Sequence, residues 1–155
     1  MDNLNEREIQ NILKSFRERT GIICSTLFTE DGFIITIEKD QIEEDDDHYQ
    51  SVCAINAGIV ALAENSVKII REDNFIKQIT IQAGDPLDNE SFMIHLESVT
   101  KNVRLGIMFP LFLNLGVIHF ELKQTIQQLS KYFIEFDQGE SLNGISTLLW
   151  IITDL

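Results

Sequence analysis

Cysteine is scarce in this chain. Its two copies, Cys24 and Cys53, belong to no CxxC pair and have no nearby histidine pair. Neither a disulfide framework nor a metal site is indicated, and both read as small buried hydrophobes. Basic residues are scarce too: 12 Lys and Arg stand against 25 Asp and Glu, a net charge of −13. So negative a surface repels nucleic acid and anionic lipid. Long apolar runs are missing. The greasiest stretch, Leu105 to Ile118, is broken by Pro110 and Asn114 and is too short to span a bilayer. The opening residues, Met1 to Glu8, are polar and lack the apolar region of a signal peptide. The expectation is a cytoplasmic protein without membrane insertion.

Catalytic phrases are missing as well. There is no GxxxxGK[ST] phosphate loop, no GxGxxG and no GxSxG elbow. His48, His95 and His119 have no metal-ligand spacing and read as surface or interface histidines. Glu38 to Asp47 holds seven acids and one lysine but lacks the spacing of a calcium-binding EF-hand, so it reads as a solvated loop. Arg104 stands alone among apolar residues of an expected strand. An arginine finger towards a GTPase needs a mobile exposed loop, and a strand interior is a poor place for one. The expectation is a non-catalytic protein with no cofactor and no metal. An enzyme or ligand sensor would need a deep polar pocket, which no motif predicts.

What is present is an ordered run of hydrophobic patterns. At 44% hydrophobic content and 155 residues, one folded domain with one core is expected. Ile9, Ile12, Leu13 and Phe16 recur at i, i+3, i+4 and i+7, a helical stripe ending near Thr20-Gly21. Ile22 to Phe28 and Phe33 to Ile37 read as strands joined at Glu30-Asp31-Gly32. A long helix follows from His48 to about Ile70, with Asp46 or Asp47 placed to cap it. It is apolar almost all round: Val52, Cys53, Ile55, Ile59, Val60, Leu62, Val67 and Ile69, with a separate small-residue stripe at Ala54, Ala57, Gly58 and Ala61. One sheet covers one side of such a helix, so a second cover is required. Gly58 costs about 1 kcal/mol against alanine in a helix interior. Either another backbone approaches it closely, or it lets the helix lie near its own sheet.

Phe75 to Gln82 then reads as a half-exposed strand, placed at a sheet edge. Phe92 to Glu97 and Val103 to Phe109 alternate, completing an antiparallel meander around the turn at Thr100-Lys101-Asn102. Asn114 caps a helix with Leu115, Ile118, Leu122, Ile126, Leu129 and Phe133 on one face. Past Gly139, Leu142, Ile145, Leu148, Leu149 and Ile152 fit a short helix. Ile145 to Thr153 also fits a strand, and the helix is the favoured reading.

This order resembles the roadblock family (roadblock/dynein light chain domains). Gly21 to Ile35 resembles that family's first hairpin with its acidic-glycine turn. Ala54 to Glu64 resembles its small-residue long helix, and Asn114 to Leu122 the start of its last helix. The resemblance implies an α+β fold akin to profilin and longin domains, a five-stranded antiparallel sheet with helices on both faces. It places the domain at residues 1–134 and leaves 135–155 as a C-terminal extension, favoured as helical. It also implies dimerisation, with itself or with another roadblock-type chain, through the long helix and the strand after it. The implied interface is Ala54, Ala57, Gly58, Ala61 and Asn65 with Phe75, Lys77, Ile79 and Ile81 on the joining strand. The implied role is a scaffold or regulator of a small Ras-like GTPase. The alternative is an adaptor subunit that pairs with another roadblock or longin protein, in a motor or membrane-associated complex, without GTPase contact.

Overall fold

The computed structural model describes residues 3–40, 46–73, 75–84, 87 and 91–133, without the side chains of 3 and 46–49. The element order is α1 (Asn3–Thr20), β1 (Cys24–Thr29), β2 (Ile34–Lys39), α2 (Asp46–Lys68), β3 (Gln78–Gly84), β4 (Ser91–Ser98), β5 (Val103–Pro110) and α3 (Leu115–Ser130). The strands form one antiparallel sheet in the order β2-β1-β5-β4-β3. The first hairpin therefore lies at one side of the sheet and the meander at the other. They join where β1 pairs with β5, from Cys24 opposite Met108 to Thr29 opposite Val103. This is the five-stranded α+β architecture that the sequence implied.

Each helix begins and ends for a local reason. The apolar stripe of α1 is fully buried at Ile9, Leu13 and Phe16. Its last turn closes when Thr20 Oγ1 donates to the Phe16 carbonyl and the Gly21 amide donates to Arg17 O at 2.8 Å. Gly21 then turns the chain at φ +79°, a conformation that costs glycine little. Asn114 caps α3 as expected: its side chain accepts the Val117 amide at 3.2 Å. Leu115 is turned out and exposed instead of joining the buried stripe, since it sits one position inside the helix start. Thr125 takes an inward place beside Ile118, Leu122 and Leu129.

The alternation of β5 separates two cores. Val103, Leu105, Ile107 and Phe109 face α1 and α3, joining Ile9, Leu13, Phe16, Leu27, Ile118, Leu122, Leu129 and Phe133. Each large side chain taken fully out of water contributes about 1.5–3 kcal/mol, so most of the domain's stability lies on this face. The opposite core, under α2, has only Phe28, Cys53, Ala57, Val60 and Leu96, flanked by Ile34, Ile76, Ile79 and Ile94.

Several expectations are corrected. α2 ends at Lys68, not Ile70, because the amides of Ile70 and Arg71 both turn back to Val67 O. β3 starts at Gln78, not Phe75: Ile76 spends its carbonyl on Arg104 and its amide on Glu64, not on a neighbouring strand. The acidic run does not begin as a solvated loop. Glu38 lies buried in β2, where Arg17 Nε donates to both carboxylate oxygens, at 2.8 and 3.1 Å. Residues 41–45 and the extension 135–155 lie outside the described residues.

Candidate functional site

The outer face of α2 and the free edge of β3 together form the feature that the rest of the fold does not explain. α2 presents Cys53, Asn56, Ala57 and Val60 to its sheet. On the far side Ile55 is 62% exposed, Leu62 70% and, just past the helix end, Ile69 87%. Ala54, Gly58 and Ala61 are exposed among them. Adjacent exposed apolar side chains of this kind mark an interaction surface, whereas single ones do not. Gly58 separates the two readings of the small-residue stripe. A Cβ built there has no neighbour within 4 Å, so the glycine is not needed for packing against the chain's own sheet.

Close approach to the sheet happens one residue earlier. Ala57 is only 6% exposed, and a Cβ on Gly32 would lie 3.2 Å from the Ala57 Cβ. Gly32, at φ +89°, thus fits both the tight hairpin turn and the helix above it. Of the expected interface residues, Ala57 is therefore covered by the chain itself. Ala54, Gly58, Ala61 and Asn65 face outward, and Phe75 and Lys77 are exposed in the lead to β3. Ile79 and Ile81 are half-buried, with Ile79 packed on the core beneath α2. What β3 presents is its backbone. It pairs with β4 from Gln78 opposite Glu97 to Gly84 opposite Ser91, and among the described residues no strand lies on its other side. An unpaired edge is a template for a further strand.

Two buried polar clusters sit near this surface, and sequence reasoning missed both. His95, read as a surface or interface histidine, is 2% exposed on the α1/α3 face of β4. Its Nε2 lies 2.9 Å from Glu97 Oε2 and its Nδ1 2.7 Å from Thr80 Oγ1, directly across the β3–β4 pair. The His119 ring stands edge-on to it, centroids 5.8 Å apart. With the Nε2 proton donated to the carboxylate, Nδ1 accepts from the threonine hydroxyl. Arg104, weighed as an arginine finger, is also 2% exposed and lies under α2. Its Nη1 donates to Ile76 O at 2.9 Å and to Ser98 Oγ, and its Nη2 to Glu64 Oε1 at 2.5 Å. A side chain held so deeply and by three acceptors cannot reach into a partner, and the finger reading falls. Only the isolation of a charge in an apolar strand marked either residue in the sequence.

Nucleophilic chemistry finds no foothold at the cysteines. Both are buried, as expected, and neither is in a disulfide. Burial pushes the Cys53 thiol above its ordinary value of 9.0, more than a hydrogen bond with Thr26 lowers it. A thiol kept protonated and covered is a poor nucleophile. Beneath α2 a small apolar cavity of about 30 Å³ lies among Thr26, Val52, Asn56 and Ile94, about the room for one water. Among the described residues no helix is long and apolar enough to cross a membrane, and no cluster of three metal-ligating side chains occurs.

Among the described residues, an antiparallel sheet carries two helices on one face and one on the other, the single helix half-covered, and this arrangement defines a class. Solved structures confirm it as the roadblock-type fold. MglB of Myxococcus xanthus superposes with a TM-score of 0.70 at 17% identity, over 86% of this chain and 92% of that one. The gliding protein MglB of Thermus thermophilus gives 0.70 at 13% identity, over 84% and 92%. A Roadblock/LC7 domain from Streptomyces avermitilis gives 0.66 at 13% identity, over 81% and 97%. No protein-family model and no curated protein matches the sequence. The likeness therefore lies in the fold.

Proposed function

We propose that this protein is a non-catalytic scaffold that pairs, through the outer face of α2 and the edge of β3, with a second copy or another roadblock-type chain. The resulting dimer would bind a small Ras-like GTPase. The observation that carries the reading is the uncovered flank of α2: Ile55 and Leu62 in water, with Gly58 between them and open space above it. An obligate interface of this type buries about 2,000 Å² or more. A helix flank supported by a continued sheet is the kind of surface that supplies it. One of the similar structures, an MglB, has a tetrameric arrangement, which supports self-assembly as a use of this fold. The GTPase follows from the resemblance of Gly21–Ile35, Ala54–Glu64 and Asn114–Leu122 to the roadblock family, whose members serve such proteins.

Any effect on GTP hydrolysis would come from holding the GTPase's own switch loops in a productive arrangement, a shift of populations and not added chemistry. Arg104 is buried, so it is not the finger. On this reading residues 1–134 are the pairing unit and 135–155 an appendage to it.

The test has two arms. Light scattering of the full chain, and of a version ending at Phe133, should give twice the chain mass for both. A mass of one chain at all concentrations rules out the second copy and leaves another roadblock-type chain as the partner to be found; a chain that then captures neither such a chain nor a GTPase sinks the reading. Capture of GTP-loaded over GDP-loaded Ras-like GTPase separates the scaffold from the adaptor, which would recover only a roadblock or longin partner.

A further inference from the structure

Arg104 has a use that its burial alone does not explain. It rises from β5, and its guanidinium meets three separate elements. Glu64 Oε1 belongs to the last turns of α2, the Ile76 carbonyl to the lead into β3, and Ser98 Oγ to the end of β4. Glu64 Oε1 also accepts the Ile76 amide at 3.4 Å, and the Ser98 amide donates to Lys77 O at 2.8 Å. Beyond these bonds, the described part of the segment between α2 and β3 is anchored by Ile76, packed on the core beneath α2. Ile69, Ile70, Arg71, Glu72, Asp73, Phe75 and Lys77 are all exposed, and Ile76 is half-buried.

We infer that Arg104 is a positioning residue for the association surface, locking the end of α2 to the entry of β3 so that helix flank and edge strand present one fixed geometry. The inference rests on the dimer reading. A partner that must meet a helix and a strand together binds more tightly when their relation is set beforehand, because ordering them on contact costs conformational entropy. A guanidinium suits the task, since its planar fork reaches several acceptors at once, which an ammonium cannot. A stability role explains the arrangement less well. A buried ion pair is often no better than apolar packing in its place, while its geometry is specific.

The test compares self-association with local order in two backgrounds. Arg104→Lys keeps the charge but loses the fork. In the otherwise native chain it should raise the dimer dissociation constant roughly tenfold or more, as expected for losing a charged hydrogen bond. In a Gly58→Arg background, made to be monomeric, it should speed amide exchange at residues 76–79 while leaving β1 and β5 protected. Glu64→Gln keeps an acceptor without its charge. It should shift both readouts in the same direction by less, and it serves if the lysine variant does not fold. A dissociation constant that moves by less than about twofold, the size of an ordinary surface substitution, overturns the inference and leaves the dimer standing. So does exchange that speeds equally across the whole sheet. A native chain that never self-associates removes the second-copy reading and this inference with it.

Discussion

The two faces of the sheet are built to different standards. On one, among the described residues, α1 and α3 lie side by side and form with the sheet and its flanks a core of fifteen buried apolar residues. Their outer surfaces are tied by Arg19 to Glu121 at 2.8 Å and by the Tyr132 hydroxyl to Glu8 at 2.6 Å. On the other, among the described residues, α2 forms a cluster of five with the sheet, three of them its own, and turns Ile55 and Leu62 to solvent. Among the described residues the first face is covered and the outer flank of α2 is not, so on the proposed pairing contacts at the second should depend on protein concentration and those at the first should not.

Substitutions on the two faces should therefore separate cleanly. The largest effect on association is expected from Leu62→Glu combined with Gly58→Arg. Together they put charge into the proposed interface and should raise the dissociation constant at least about a hundredfold, the loss of one interface hot spot. Sedimentation equilibrium reads this, and circular dichroism should show the monomer still folded. Phe16→Ala, on the complete face, should cost about 3–5 kcal/mol in urea unfolding. That cost should be the same at low and high protein concentration, and a concentration-dependent cost would blur the distinction. Glu38→Ala at the same face leaves Arg17 only the longer pair with Asp40 at 3.8 Å and should cost about 1.5–3 kcal/mol, the range for hydrogen bonds to charged groups. Because the chain carries −13, two copies repel each other. Self-association should tighten as salt rises from low concentration to about 0.15 M, where the screening length falls to about 8 Å.

The smallest effect concerns Cys53. Its raised thiol pKa means that the folded state holds the proton more tightly than the unfolded state does. That stability is fully present below the ordinary value of 9.0 and is lost as pH climbs through the folded value. Unfolding monitored between neutral pH and pH ~10 should show the loss, and a Cys53→Ser variant should lack this alkaline component. A thiol reagent should label native Cys53 only slowly.

Much of the fold was legible because it depends on near neighbours. The stripe Ile9-Ile12-Leu13-Phe16, the turn at Gly32, the alternation of β4 and β5, and the Asn114 cap are all periodicity and turn chemistry. The half-covered flank of α2 was legible for the same reason, since an apolar helix with two greasy sides announces a deficit. The buried charges are less legible. Local pattern puts Glu38 in a solvated acidic run and His95 at a surface or interface, and it argues against Arg104 as a finger without saying what holds it. Each is settled by a partner far along the chain: Arg17, Thr80 and Glu64. A local pattern says that a charge falls on an inward face, but not whether an opposite charge waits there.

By itself, then, the sequence determined which segments are helix and strand, which of their sides avoid water, and that α2 has more oily surface than one sheet can cover. Only the tertiary structure decided that Ala57 and not Gly58 meets the hairpin, and that Arg104 joins α2 to the entry of β3. The physical reason is range. Hydrophobic periodicity is written within a dozen residues, while the pairing of buried polar groups depends on segments that only folding brings together.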